Sequence, residues 1–277
     1  MRQGNRRVRI VPGAEVSRLV SLAIGSRGYT GSMEKVRLRD TWVLRKHELA
    51  RLGIIYVAFS AAWFAVGWLL THPLKDSFIV HNDERISRWF VDRRTPGLNS
   101  LSFVGSMFSD TVVKILVTAV VAIVMLIVWK RWLEPLVVCV ALILEALTFI
   151  TVTTLVNRPR PDVPHLDTSP VGSSYPSGHT GAAVAYSAIA VVLLWHTRRR
   201  WIRGLAIAVA AILPVCVGLA RLYRGMHFFT DVVFGALLGG ASVYAAVTVL
   251  TRAADDRHIE VAPAAEEHPS APDLAHA

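Results

Sequence analysis

Three features of this sequence predict an all-α fold, a bundle of six transmembrane helices. Over 277 residues 53% are hydrophobic and only 18% charged, with a mean hydropathy of +0.44. A soluble domain of this length carries more charge. Six segments approach the roughly 20 apolar residues that a bilayer core of about 30 Å requires. Clusters of basic residues recur on alternate connections between those segments, as the positive-inside tendency demands.

The elements follow in order. Residues 1–48 are basic, rich in Arg, Gly and Ser, and hold no apolar period, so they read as a mostly disordered cytoplasmic segment. No apolar core with a cleavage site follows the first arginines, unlike a secretory signal. Met33, before a denser basic stretch, is a candidate alternative start. The membrane domain is expected over 49–252. Its spans are Leu52 to Thr71, Thr111 to Trp129 with Lys114 snorkelling near its end, and Leu133 to Val156. Three more follow at His179 to Trp195, Trp201 to Leu219, and Phe228 to Leu250. Trp129, Trp132, Trp195 and Trp201 fall at interfaces, where indoles prefer to lie. Between the first two spans, Ile86-Ser87-Arg88-Trp89-Phe90 suits a short helix on the membrane surface. Residues 253–277, rich in Ala, Pro and acid, read as a disordered cytoplasmic tail.

The net charge of +10 is unevenly placed. Residues 1–51 hold twelve Lys and Arg against four Asp and Glu, whereas the tail from Thr251 holds two against six. A basic run can mark a nucleic-acid binder. Here it abuts an apolar span, so topology explains it and no nucleic-acid partner is expected. The N-terminal segment, Lys130-Arg131, and Arg198, Arg199, Arg200 and Arg203 share one side if six helices alternate. That side is cytoplasmic, and loops 157–178 and 220–227 then meet on the other. Cys139 and Cys216 lie in apolar segments and read as lipid-buried thiols, not a disulfide framework.

Those two loops carry the chemistry. Arg158-Pro159-Arg160-Pro161-Asp162 and Tyr175-Pro176-Ser177-Gly178-His179 flank one loop; Arg221, His227 and Asp231 follow in the next. Arg158 and Arg221 supply planar, permanently charged forks that match phosphate oxygens. Each alone would equally suit an arginine snorkelling to the interface. Ser177 is an N-cap for the fourth span, whose free amides favour an anion, and Gly178 permits close backbone approach. His227 and Asp231, four apart, would share a helical face, so the carboxylate could accept from one ring nitrogen and leave the other free to attack phosphorus. His179 is then free to protonate a leaving alkoxide. Glu145, an acid in mid-span, reads as a structural partner for a neighbouring helix.

Arg158-Pro159, Pro176-Ser177-Gly178-His179, and Arg221 with His227 and Asp231 resemble the three signature motifs of the type-2 phosphatidic acid phosphatases, membrane lipid phosphatases related to vanadium haloperoxidases. The resemblance covers roughly 49–250. It implies a phosphohistidine on His227 oriented by Asp231, His179 as general acid, substrate binding by Arg158, Arg221, Ser177 and Gly178, and no metal or cofactor. Asp162, His165 and Asp167 are the nearest alternative metal ligands, and their spacing is a weak signal. Two positions depart from the pattern. A lysine is usual seven residues before the first arginine, where Thr151 stands; a serine usually precedes the third-motif arginine, where Ala220 stands. Arg160 and Arg224 are candidates to replace the missing charge. The expected activity is hydrolysis of a lipid phosphate: a polyprenyl diphosphate, phosphatidic acid or phosphatidylglycerol phosphate. The alternatives are a non-catalytic lipid-phosphate binder and a phosphotransferase to an acceptor other than water. Membrane lipids are the expected partners, and the sequence leaves oligomeric state open.

The arginine asymmetry predicts a site facing away from the cytoplasm. In a protein lacking Cys139 and Cys216, Val171→Cys should react with an impermeant maleimide in intact spheroplasts and Arg199→Cys should not. The opposite labelling pattern would invert the topology.

Overall fold

The computed structural model describes residues 44–169 and 171–261, all within one compact unit. Met33, most of the 1–48 segment and the tail beyond 261 lie outside the described residues. Among those described there are nine α-helices and no strand. They are α1 (Lys46–Thr71), α2 (Phe78–Val91), α3 (Pro96–Met107), α4 (Thr111–Trp129), α5 (Leu133–Val156), α6 (Gly178–Ala185), α7 (Ser187–His196), α8 (Arg200–Tyr223) and α9 (Phe229–Val261). Six spans are long and apolar enough to cross a membrane: α1, α4, α5, the α6–α7 pair, α8 and the part of α9 up to Asp256. The chain is a multi-pass membrane protein.

The spans of α4 and α5 begin and end where the sequence places them. Both close on a left-handed residue, Lys130 at φ 53° and Asn157 at φ 47°. The outer spans run further than expected. Helix α1 starts at Lys46, where Glu48 reaches back to the Arg45 amide at 3.1 Å. Helix α9 continues to Val261, past the expected boundary at 252. The fourth span is two helices meeting at Tyr186, whose carbonyl accepts from the Ile189 amide at 2.9 Å.

Packing centres on α9, which lies against α5 and α6 more extensively than any other pair. Glycines allow the closeness: a Cβ at Gly235 would stand 2.3 Å from the Ser177 carbonyl, and one at Gly239 the same distance from that of Gly181. Small residues at such crossings let membrane helices gain dispersion contact without a hydrophobic drive between them. Val137, Val138, Ala141, Ala188, Val192, Ala246 and Leu250 fill the core toward one end. Exposed Ile, Val and Leu cover the outer faces of α4 and α8, as lipid-facing surfaces require.

Two short helices lie between α1 and α4. The first, α2, is the expected surface helix; it exposes Phe78, Ile79 and Trp89 and buries Asp83 and Ser87. The second, α3, opens with Pro96 after Thr95, whose hydroxyl accepts from the Leu98 amide at 3.3 Å. Arg94 ties this region to the end of α8. Its Nε and Nη2 donate to the Tyr223 carbonyl at 3.1 and 2.9 Å, and Nη1 donates to that of Pro164 at 2.7 Å. These contacts seat α3 beside the loops that carry the conspicuous polar residues.

Candidate active site

A cavity of about 320 Å³ opens at that end, lined among others by Lys114, Arg160, His179, Arg221 and His227. Each wall has a local cause. Helix α8 ends in a Schellman arrangement: the Gly225 amide donates to Leu222 O at 3.0 Å and the Met226 amide to Arg221 O at 3.1 Å, with Gly225 at φ 74°. This turn presents His227 just before α9 begins. The loop from Arg158 is drawn closed on itself, because the Ser174 amide donates to Arg158 O at 2.8 Å and the Ser174 hydroxyl to Pro159 O at 3.0 Å. The Ser174 carbonyl is thereby delivered to His227.

His227 Nδ1 lies 2.7 Å from the Ser174 carbonyl. A carbonyl only accepts, so Nδ1 carries the hydrogen and Nε2 keeps its lone pair. Burial, then the positive charges of Arg221 and Arg160, hold the His227 pKa well below its usual value. Both effects favour the neutral imidazole. Asp231 does not orient it. The carboxylate Oδ2 is 4.0 Å from Nδ1, beyond hydrogen-bond range, and instead accepts from the Phe228 amide at 2.8 Å. The expected shared helical face fails because α9 starts at Phe229, leaving His227 outside the helix.

The two arginines of Arg158-Pro159-Arg160 face different ways: Arg160, and not the expected Arg158, lines the cavity. Arg158 is buried away from the cavity. It donates to Asp231 Oδ1 at 2.6 Å, Thr230 Oγ1 at 2.8 Å and Asp83 Oδ2 at 2.9 Å, with the Phe228 ring 4.3 Å from its guanidinium carbon. Arg160 lines the cavity and spans its loop wall, donating to the carbonyls of Met226, Val171 and Ser173 and to the Ser169 hydroxyl. Counted from Arg160, the position seven residues earlier is Thr153 rather than Thr151. Thr151 faces α1, its hydroxyl 2.7 Å from that of Tyr56. Ala220 is buried, 3.6 Å from where a Cβ on Gly105 of α3 would stand.

Arg221 is in the cavity as expected. Nη1 donates to Ser106 Oγ at 2.7 Å and to Asp167 Oδ2 at 2.9 Å, while its buried Nε has no partner among the described residues. Arg224 does not replace a missing cation there; it clamps Asp167 and reaches Asn99 O, Ser102 Oγ and Leu166 O. Burial works against the Asp167 carboxylate, but the hydrogen bond from Arg224 and the charge of Arg221 hold its pKa below the usual range. Ser177 caps α6 as expected, accepting from the Thr180 amide, but it is fully buried and does not reach the cavity. Gly178 does line it, and its missing side chain also makes room for Phe149, whose ring a Cβ would meet at 2.8 Å. Among the described residues, no partner engages the amides of Gly178 and His179 in the first turn of α6.

His179 has a partner that the sequence did not reveal. Its Nε2 is 2.9 Å from Asp110 Oδ1, at the start of α4. The carboxylate accepts the Nε2 hydrogen and fixes the position of the ring at the cavity wall. Asp162, His165 and Asp167 do not converge: His165 Nε2 contacts the Pro161 carbonyl at 3.0 Å, and Asp167 is held by arginines. Among the described residues, no group of three or more His, Cys, Asp or Glu is arranged to hold a metal.

Fold and site together give a cavity in a membrane protein whose wall carries Arg160, Arg221 and Lys114 with two imidazoles, one bonded to a carbonyl and one to a carboxylate. The sequence model of the PAP2 superfamily matches residues 134–255, which include all three motif stretches. The chain is 37% identical over 86 residues to phosphatidylglycerophosphatase B of Bacillus subtilis (strain 168), covering 30% of this chain and 42% of the relative. It is 37% identical over 81 residues to phosphatidylglycerophosphatase B of Escherichia coli (strain K12), covering 29% and 30%. The matches thus span less than half the length of these curated relatives. Among solved structures, a transmembrane PAP2 type phosphatidylglycerolphosphate phosphatase from Bacillus subtilis has the same fold, with a TM-score of 0.54 at 24% identity over 78% of this chain and 98% of that one. LpxE of Aquifex aeolicus gives a TM-score of 0.46 at 26% identity, covering 60% and 93%.

The division between the arginines is testable. Arg158→Gln strands two buried carboxylates and should lower unfolding stability by about 3–5 kcal/mol, read by thermal melting in detergent. Arg160→Gln should keep most of the stability and weaken inhibition by vanadate about 10- to 100-fold, the worth of a charge-assisted hydrogen bond. The reverse pattern would return Arg158 to the substrate.

Proposed function

We propose that this protein is a lipid phosphate phosphatase that works through a phosphohistidine on His227. The observation that carries the reading is the His227 tautomer. Nδ1–H is spent on the Ser174 carbonyl, and the neutral ring lines a cavity shared with Arg160, Arg221 and His179. A binding protein would need the arginines but neither imidazole. In the first step Nε2 bonds to phosphorus and the bond from phosphorus to the lipid oxygen breaks. His179, protonated and held by Asp110, gives its proton to the departing alkoxide. In the second step water attacks phosphorus while neutral His179 takes its proton, and the nitrogen–phosphorus bond breaks to release phosphate. Arg160, Arg221 and the first-turn amides of α6 stabilise the oxygens as charge develops on them. No step calls for a divalent metal.

The names of the curated relatives support phosphatidylglycerophosphate as the first substrate to try, with phosphatidic acid and polyprenyl diphosphates beside it. The basic connections at the other end of the bundle support a cytoplasmic-membrane protein whose site opens away from the cytoplasm.

The test is phosphate release from a panel of these lipids by purified protein, with and without an acceptor alcohol. Wild type should be active in EDTA and inhibited by vanadate. His227→Ala should lose turnover, and His179→Ala should be slower by about 10²–10⁴-fold. Undiminished turnover by folded His227→Ala, or activity abolished by EDTA and restored by Mg²⁺, would refute the mechanism.

A further inference from the structure

Helix α4 carries a single charged residue, Lys114, one turn inside its start. Its amide donates to Asp110 O at 2.8 Å, which fixes the first turn beside the residue that holds His179. The Lys114 side chain is 16% exposed and lines the same cavity as Arg160, Arg221, His179 and His227. Its ammonium stands 3.8 Å from Oε2 of Glu145, which is wholly buried midway along α5. Among the described residues, neither Glu145 oxygen has a hydrogen-bond partner. The carboxylate is packed beneath the start of α6: a Cβ on Gly181 would come within 2.5 Å of Oε1. Four residues along α5, Phe149 lines the cavity and packs against Gly178.

We propose that Lys114 is a third cation of the phosphate site, with Glu145 as its counter-charge while the site is empty. The proposal rests on the phosphatase reading for the identity of the anion. Three observations support it. First, a pair whose task was only to neutralise a buried acid would close to hydrogen-bond length, because an unsatisfied buried carboxylate is costly. Here the ammonium stands off at 3.8 Å, at the cavity wall, with its donors not committed to the acid. Second, the other cations are partly engaged already. Arg221 shares Nη1 with Asp167, and Arg160 donates to carbonyls of its own loop and to that of Met226. A phosphate monoester brings up to two negative charges, and Lys114 adds a compact point charge that these forks do not duplicate. Third, Lys114 adjoins Asp110, so one turn of α4 supplies both a cation for the phosphate and the carboxylate that holds its proton donor.

Direct binding of orthovanadate to the purified full chain, measured by calorimetry in detergent, separates this role from simple neutralisation. Lys114→Gln leaves Glu145 unpaired and is open to misfolding. The decisive variant is therefore Lys114→Gln with Glu145→Gln, a neutral pair of nearly the same size whose folding is checked by its melting temperature. The double variant should bind vanadate about 10- to 100-fold more weakly than wild type, as the loss of one charge-assisted contact predicts. Glu145→Gln alone, which keeps the cation and removes a competing anion, should bind at least as tightly as wild type. A folded double variant with wild-type affinity would overturn the proposal, leaving Lys114 as a neutraliser of Glu145. A loss already complete in Glu145→Gln alone would overturn it too. Phosphate release is scored separately. A wild type that binds vanadate through Lys114 yet releases phosphate from no lipid refutes the phosphatase reading and upholds the cation. A wild type that binds neither vanadate nor phosphate refutes both.

Discussion

The ion pair between Arg158 and Asp231 holds the three motif stretches in one place. Through its side chain Asp231 accepts from Arg158, at the end of the third span, and from the Phe228 amide, in the turn that carries His227. Through its backbone carbonyl it accepts from the Ser177 amide at 2.9 Å, at the start of α6. Arg158 extends the tie to Asp83 of the surface helix. One cation against two acids is costly to bury, and the remaining lone pairs have to be met. The Thr230 amide and hydroxyl meet those of Asp83, and the Phe228 ring stacks on the guanidinium. The cluster therefore acts through position: it places the loop, the helix start and the histidine turn around a single cavity.

That cavity separates structural charge from working charge. Charges beneath it are paired and buried, as with Arg158, Asp231 and Asp83. Charges at its wall have donors or ring nitrogens left over. Among the described residues Arg221 Nε has no partner, and His227 meets the Ser174 carbonyl through Nδ1 and not Nε2. The same distinction explains why both motif histidines pair through only one nitrogen, His227 to a carbonyl and His179 to Asp110. A carbonyl accepts from Nδ1 of His227 and a carboxylate from Nε2 of His179, so the two rings are held through opposite nitrogens.

Much of this was legible from the sequence. Span composition located α4 and α5 to the residue, because Asp110 and the Lys130-Arg131 pair bound the apolar runs sharply. Helix parity put the loops of His179, Arg221 and His227 on one membrane face, and all three line one cavity. What failed was local direction. Prolines at alternate positions favour a polyproline II course with three residues per turn, so neighbouring arginines two apart point different ways. Nothing in Arg158-Pro159-Arg160-Pro161 says which one faces the pocket. The helical spacing of His227 and Asp231 misled because the Gly225 turn delays the start of α9. Asp83, Asp110 and Lys114 were invisible as site partners, since each meets its counterpart across a long stretch of chain. Ser174 contributes a backbone carbonyl, which no side-chain pattern reports.

The central claim is that phosphorus is attacked by the free nitrogen of His227. The most direct measurement is a rapid acid-free quench of the enzyme with a radiolabelled lipid phosphate, followed by peptide mapping. The account predicts a label that survives base, is lost in acid as a nitrogen–phosphorus bond is, and resides on the peptide containing His227. A label stable to acid, or one carried by any other residue, would contradict it.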